Sequence, residues 1–491
     1  VIPHLVAPGL SCCDAAEPTF GAFFAMQYHA YEMARVLTAP WRLAAMNLKR
    51  SLELPFNPMG QTYAAKQVAA ACEVFEKITQ RYGKPEFGIT ETRIHGFPVP
   101  VRETIVLEKT FCNLLRFERD EAVIGRRHDP KVLLVAPMSG HYATLLRGTV
   151  KAMVPEHDVY ITDWKDARDV PFALGQFDLA DFVDYLIEFI EFLGPNTHVI
   201  AVCQPSVPAL AATAVMAQRG SDCQPSSLTL MGGPIDTRRN PTVVNQLAGQ
   251  RPIEWFERNV IARVPFPNAG FMRSVYPGFI QLTGFMTMNL ERHTSAHVEL
   301  FRNLVKGDCD SVEQHARFYD EYLAVMDLTA EFYLQTVETV FQAHDLPDRR
   351  MRHRGELVDC AAIRKTALLT IEGERDDICG LGQTEAAHDL CRNVAVDERY
   401  HYVQPGVGHY GVFNGTRWRT EIQPRIREMI RTIQLKRRMG NTSLKFALPY
   451  RNLVETREAE IPWQTETGEA QIDGASAKAS TAKGKGVPPG E

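Results

Sequence analysis

Excess charge of either sign is missing from this chain. Its 491 residues carry 54 Lys and Arg against 59 Asp and Glu, a formal net charge of −5. That balance excludes the basic footprint of a nucleic-acid binder. Long apolar runs are missing as well: no stretch of ~18 consecutive apolar residues occurs, so no transmembrane segment is expected. The first twenty residues, VIPHLVAPGLSCCDAAEPTF, lack the charged start and long apolar centre of a signal peptide. Cysteine is sparse, ten in all, and no two have C-x-x-C spacing. The expectation is therefore a cytoplasmic chain with reduced thiols and with neither a metal nor an organic cofactor. Cys12 and Cys13 are adjacent and receive no role. There is no repeat of roughly 20–50 residues and no heptad seam, so the oligomeric state is not legible.

What is present is ordinary in amount, 45% hydrophobic and 23% charged, and informative in arrangement. Residues 20–80 read as helical, with Phe24, Tyr28, Met33 and Leu37 near helical spacing, a break at Pro40, and a second helix from about Gln67 to Tyr82. An aromatic stripe of this kind fits an arm packed on the main domain, or one that touches a hydrophobic surface. VRETIVLEKT and FCNLLRFER then alternate as two antiparallel strands do. Six apolar runs follow, at 131–137, 157–164, 197–202, 227–233, 366–373 and 399–406. Helical patterns near 143–153, 178–193, 206–219 and 383–392 separate them. Apolar strands alternating with helices imply a parallel sheet covered on both faces.

Between Pro234 and about Cys360 no comparable strand is evident, and the segment is helical and rich in Phe and Met. An insertion there is a candidate cap over the carboxyl ends of the strands, where open α/β sheets bind ligands. The expected organisation is a helical arm (1–95), a core (96–235), the cap (236–360), a second core segment (361–438) and a C-terminal extension (439–491). The extension ends in the low-complexity run IDGASAKASTAKGKGVPPGE and is expected to be largely disordered.

The most informative stretch is THVIAVCQPSVPALAATAV, in which Cys203 stands where a β-branched run gives way to helical spacing. A side chain at such a strand-to-helix bend is lifted clear of the sheet toward free helix N–H groups. A thiol there is activated when a histidine pairs with it. A single cysteine is more often core packing, so the partners decide. Downstream, TALLTIEGERDD offers Asp376, with Asp377 as its rival, in the loop after a late strand. RYHYVQPGVGHYGVFNG then offers His409 in a glycine-flanked loop after the last strand. Nucleophile, acid and histidine in that chain order are the parts of an acyl-transfer site. The backbone N–H of Gln204 and one from Met138 or Ser139, in APMSGHYATLLRG, are the candidate oxyanion donors. His141 in the same loop is assigned to loop structure, and Asp163 and Trp164 lie after a neighbouring strand.

Taken together, AVCQPSVPALAA, APMSGHYATLLRG, GERDD and PGVGHYGVFNG resemble intracellular poly(3-hydroxybutyrate) depolymerases of the cysteine-nucleophile type, over about residues 20–435. The resemblance implies an α/β-hydrolase fold with a mostly parallel central sheet and an inserted helical cap. It implies Cys203, Asp376 and His409 as a triad, with the polymer or its granule surface as partner in the cytoplasm. Polyhydroxyalkanoate synthases, which carry G-x-C-x-G at the bend, are the nearest alternative. The present Ala201-Val202-Cys203-Gln204-Pro205 departs from that pattern. A granule-coating binder without catalysis is a third reading. The acyl acceptor, water or coenzyme A, stays open.

Overall fold

Ten strands form one sheet because most of the apolar runs along the chain are buried on both faces. In this computed structural model, which describes residues 20–125, 127–288, 290–439 and 451–452, they are β1 (Glu91–Ile94), β2 (Phe97–Glu108), β3 (Cys112–Arg119), β4 (Lys131–Val135), β5 (Asp158–Trp164), β6 (Thr197–Val202), β7 (Ser227–Met231), β8 (Ala367–Gly373), β9 (Arg399–Gln404) and β10 (Arg451–Asn452). Their spatial order is β1-β2-β3-β5-β4-β6-β7-β8-β9-β10. From β5 to β9 all neighbours are parallel. β1, β2 and β3 join as antiparallel strands at one edge, and β10 pairs antiparallel with β9 at the other. β6, β7 and β8 are buried at every position, as continuous apolar runs in a doubly covered sheet must be. The helices Leu179–Leu193 and Ser206–Gln218 cover the sheet, the first through Phe182, Leu186 and Ile190. Asp178 and Asp181 close a reciprocal capping box that sets where the first of these begins. This is the α/β-hydrolase architecture expected from the sequence.

Register places the site. Val202 is level with Met231 across β6 and β7, and Ile371 is level with Met231 across β7 and β8. The chain segments leaving β6, β7, β8 and β9 therefore emerge side by side at one end of the sheet.

Several local expectations need correction. The helix expected to break at Pro40 runs unbroken as α1 (Phe20–Glu53). Pro40 is exposed, so the carbonyl it leaves without a partner faces water, and flanking contacts such as Arg42 Nη1 to Thr79 O at 2.6 Å hold the helix across it. The second helix, α2, is Tyr63–Thr79 rather than 67–82, because Thr62 Oγ1 accepts from Ala65 N at 3.3 Å and starts it earlier. The helix expected over 383–392 shrinks to Ala387–Leu390. Gln383 and Thr384 there are drawn instead into hydrogen bonds with Asn245, Glu372 and Gly233. The expected boundary at residue 95 falls in the turn of the paired β1–β2 hairpin, so β1 goes with the sheet.

The segment between β7 and β8 is mainly helical and also holds five short antiparallel strands: Ala262–Arg263, Ser274–Tyr276 and Leu328–Thr329 in one small sheet, and Arg352–His353 paired with Glu356–Leu357 in another. It touches the carboxyl end of the sheet: Met326 N donates to Gly140 O at 2.7 Å, and His141 Nε2 meets Tyr322 O at 3.1 Å. The arm packs on this insertion. Tyr31 stacks on Phe279 with ring centroids 4.1 Å apart, and the Tyr28 hydroxyl donates to Asp327 Oδ2 at 2.5 Å. Cys12, Cys13 and the extension apart from β10 lie outside the described residues.

Candidate active site

Cys203 follows β6 with φ at +65°, a left-handed backbone that L-residues adopt at a cost of about 1–2 kcal/mol. The bend is held from both sides. Cys203 N donates to Met231 O at 2.7 Å, and Ser206 N donates to Cys203 O at 3.0 Å. Pro205 caps the helix Ser206–Gln218 with φ of −59°, where its missing N–H removes no helical bond. The end of β7 passes so close that a Cβ on Gly233 would lie 2.0 Å from Ser206 Oγ and 3.1 Å from Cys203 O. Glycine at 233 is thus a condition of the bend. Cys203 is half-buried and rests on the core rather than inside it.

His409 and Asp376 arrive from the next loops along the sheet. The Asp376 side chain is fully buried, and Oδ1 accepts from Ile378 N at 2.9 Å and Cys379 N at 2.8 Å. Its other oxygen, Oδ2, pairs with His409 Nδ1 at 2.7 Å. Asp377 is exposed, and the carboxylate on the imidazole is that of Asp376. Gly232, with φ at +55°, lies beneath this pair: a Cβ there would sit 3.3 Å from both Asp376 Oδ2 and His409 Cε1. Burial works against the charged imidazole. The negative charges of Asp376 and Cys203, and hydrogen bonds to both side chains, outweigh it and raise the His409 pKa well above the ordinary histidine value. The three residues picked out from the sequence therefore converge on one site, with Asp376 bonded to His409 and Cys203 close enough for its charge to act on the imidazole.

Of the expected oxyanion donors, the Gln204 and Ser139 N–H groups have no protein acceptor among the described residues. Met138 N–H points at Gln204 Oε1 across a long 3.4 Å. The Gln204 side chain thus closes over the space between the bend and the β4 loop. Gln281, from the helix Gly278–Met288, donates its amide to Ser139 O. Sequence reasoning named the Gln204 backbone but missed its side chain, and it missed Gln281, Tyr322 and Tyr410, the two tyrosine rings lying 6.0 Å apart with Tyr410 beside His409. No sequence signal distinguishes these side chains, since Gln204, Gln281 and Tyr322 act through contacts between segments distant in the chain and Tyr410 is marked only by its place beside His409. His141 is buried, and burial lowers its pKa to about 4; it braces the loop against Tyr322 O. Asp163 pairs with Lys84, and Trp164 is core, donating to Ala136 O at 2.8 Å. Neither reaches the triad.

Residues 232–434 match the family described as PHB de-polymerase C-terminus. The chain has an α/β-hydrolase fold, and its segment 232–434 is similar to the PHB depolymerase C-terminal family. Asp376 and His409 lie within the matched segment and Cys203 precedes it. Among solved structures, the chain is similar to 2-hydroxy-6-oxo-6-phenylhexa-2,4-dienoate hydrolase from Rhodococcus sp. strain RHA1, at 12% identity over 68% of this chain and 99% of that one, TM-score 0.36. A thermophilic esterase from Thermogutta terrifontis is similar at 13% identity over 70% and 97%, TM-score 0.34. A monoacylglycerol lipase from Paleococcus ferrophilus is similar at 12% identity over 62% and 96%, TM-score 0.35. No curated protein matches the chain.

Proposed function

We propose that this hydrolase cleaves the ester bonds of poly(3-hydroxybutyrate) in storage granules, with Cys203 as nucleophile, His409 as acid and base, and Asp376 as the group that orients the imidazole. The supporting observation is the arrangement itself: a sulfur raised on a strained bend whose charge acts on an imidazole that meets a buried carboxylate at 2.7 Å.

The steps follow from that arrangement. His409 takes the proton of the Cys203 thiol. The sulfur attacks the ester carbonyl, forming a C–S bond and a tetrahedral oxyanion. Gln204 N–H and Ser139 N–H are free to donate to that oxyanion, and Met138 N–H joins them once the Gln204 side chain turns aside. His409 passes its proton to the leaving hydroxyl oxygen as the C–O bond breaks, which leaves an acyl-thioester on Cys203. Water, deprotonated by His409, then attacks the thioester; the C–S bond breaks and the thiolate returns. A thioester also acylates thiols, so coenzyme A is a second acceptor to test.

The decisive experiment incubates amorphous polymer granules with wild type and Cys203→Ala. Release of 3-hydroxybutyrate monomers or oligomers by wild type alone supports the reading. Equal release by both removes Cys203 from the mechanism. Binding without release by either points to a coat protein. Incorporation of hydroxyacyl-coenzyme A into polymer by wild type points to a synthase. Adding coenzyme A to the release assay separates the two acceptors.

A further inference from the structure

The helix α1 is turned the wrong way round for a water-facing arm. Its exposed positions from Met33 to Ala44 are Met33, Ala34, Val36, Leu37, Pro40, Trp41, Leu43 and Ala44, and none carries a charge. The charged residues of the same stretch are folded inward. Arg35 bonds to Glu32 Oε2 at 3.0 Å, and Arg42 bonds to Thr79 O at 2.6 Å. Val36 and Trp41 are 70% and 71% exposed, and Phe56, at the tip of the α1–α2 hairpin, is 90% exposed. Scattered apolar residues on a surface need no explanation, whereas a continuous stripe with its cations turned inward marks a surface meant to be covered.

We propose that this outward stripe of α1, continued by the hairpin tip, is the face by which the protein docks on the uncharged surface of an amorphous polyester particle. The inference rests on the function proposed above and names the partner surface that function requires. Charge selects the occupant. Helices that lie on anionic lipid display Lys and Arg along the exposed flank, and here the exposed positions from 33 to 44 display none. A polyester surface offers methyl groups and ester carbonyls, with no charge to pair. Apolar side chains meet the former, and the indole N–H of Trp41 has an acceptor in the latter. The helix that carries the stripe is anchored on the insertion beside the active site. α1 is fixed to it through Tyr28 on Asp327 and Tyr31 on Phe279, and the helix that contains Phe279 also carries Gln281, which reaches the Ser139 carbonyl.

The test compares wild type with Val36→Ser/Leu37→Ser/Trp41→Ser, and with Phe56→Ser as a second variant at the tip. All four side chains are exposed, and a thermal midpoint matching wild type verifies that folding is retained. Co-sedimentation with amorphous poly(3-hydroxybutyrate) particles is expected to weaken at least tenfold in the triple variant and measurably in Phe56→Ser. Turnover of a soluble ester, p-nitrophenyl butyrate, is expected to stay within twofold. Three results overturn the proposal: particle binding unchanged in the triple variant; wild type that is a dimer by light scattering and that the variant makes monomeric, so that a second copy covers the stripe; or wild type that binds phosphatidylglycerol vesicles and ignores the particles. Wild type that binds particles through this face yet turns over no ester refutes the catalytic reading alone. Normal soluble-ester turnover with unaltered particle binding in the variant refutes the docking face alone.

Discussion

Replacing Asp376 by Asn tests the site most sharply, because the buried carboxylate has both oxygens committed. Oδ1 accepts from two backbone amides, Ile378 N at 2.9 Å and Cys379 N at 2.8 Å, and Oδ2 meets His409 Nδ1 at 2.7 Å. An asparagine keeps the shape and has one acceptor and one donor group. With its oxygen on the two amides, its NH2 faces His409 Nδ1 and forces the proton to Nε2, on the side of Cys203. The imidazole then has no lone pair for the thiol proton. With its oxygen on His409, the NH2 collides with two N–H donors in a site without water access, a clash of about 1–3 kcal/mol for each group left unsatisfied. The first arrangement is the cheaper one. The corresponding swap in serine proteases costs about 10,000-fold through the same wrong tautomer. The expected loss of kcat/KM on p-nitrophenyl butyrate is about 1,000- to 10,000-fold, or roughly 4–5.5 kcal/mol at ~1.36 kcal/mol per decade. A second readout comes from linkage. The folded state raises the His409 pKa, so this residue contributes stability fully below its unfolded value of about 6.5 and loses it as pH rises through the raised folded value. Denaturation midpoints measured against pH should show that decline above pH ~6.5 in wild type and a flatter profile in Asp376→Asn. Activity within tenfold of wild type, with the pH profile of stability unchanged, would refute the assignment of Asp376 as orienting group.

Two further expectations concern the bend. Cys203→Gly removes a side chain from a backbone at φ +65° and should raise unfolding free energy by about 1 kcal/mol relative to Cys203→Ala, both variants lacking esterase activity; equal denaturant midpoints would mean that the bend stores no strain. Gly233→Ala drives a methyl to 2.0 Å from Ser206 Oγ and should destabilise by about 1–3 kcal/mol while lowering kcat by displacing Cys203. A wild-type melting curve with wild-type kcat would show that β7 yields freely beside the bend.

How much of this could be read in advance depends on whether the deciding contacts are local. β6 to β8 were legible because parallel strands covered on both faces need continuous apolar runs, and the chain carries them at nearly the observed limits. Cys203, Asp376 and His409 were legible because strand order places successive loops side by side, so chain order stands in for proximity. The sequence favoured Asp376 and left Asp377 as its rival. The choice lies in which carboxylate the Ile378 and Cys379 amides capture, a matter of loop geometry. The short strands of the insertion were invisible for the same reason: two or three residues carry no period, and their pairing joins positions as far apart as Val275 and Thr329. The course of α1 through Pro40 was misread because the rule that proline ends a helix weighs the lost backbone bond alone. An exposed carbonyl is hydrated, and the bonds of Arg42 to Thr79 and Tyr28 to Asp327 anchor the helix on both sides of the proline. The same helix exposes a deeper limit. Periodicity reveals that α1 has an apolar face and a charged face, and the default is to turn the apolar one inward. Here Arg42 takes the inner side because Thr79 O of α2 awaits it, and Arg35 pairs with Glu32 Oε2 of its own helix, the other Glu32 oxygen lying 4.0 Å from Arg168. The orientation of a helix is set by what its polar side can bond to, and that information resides in the neighbouring elements.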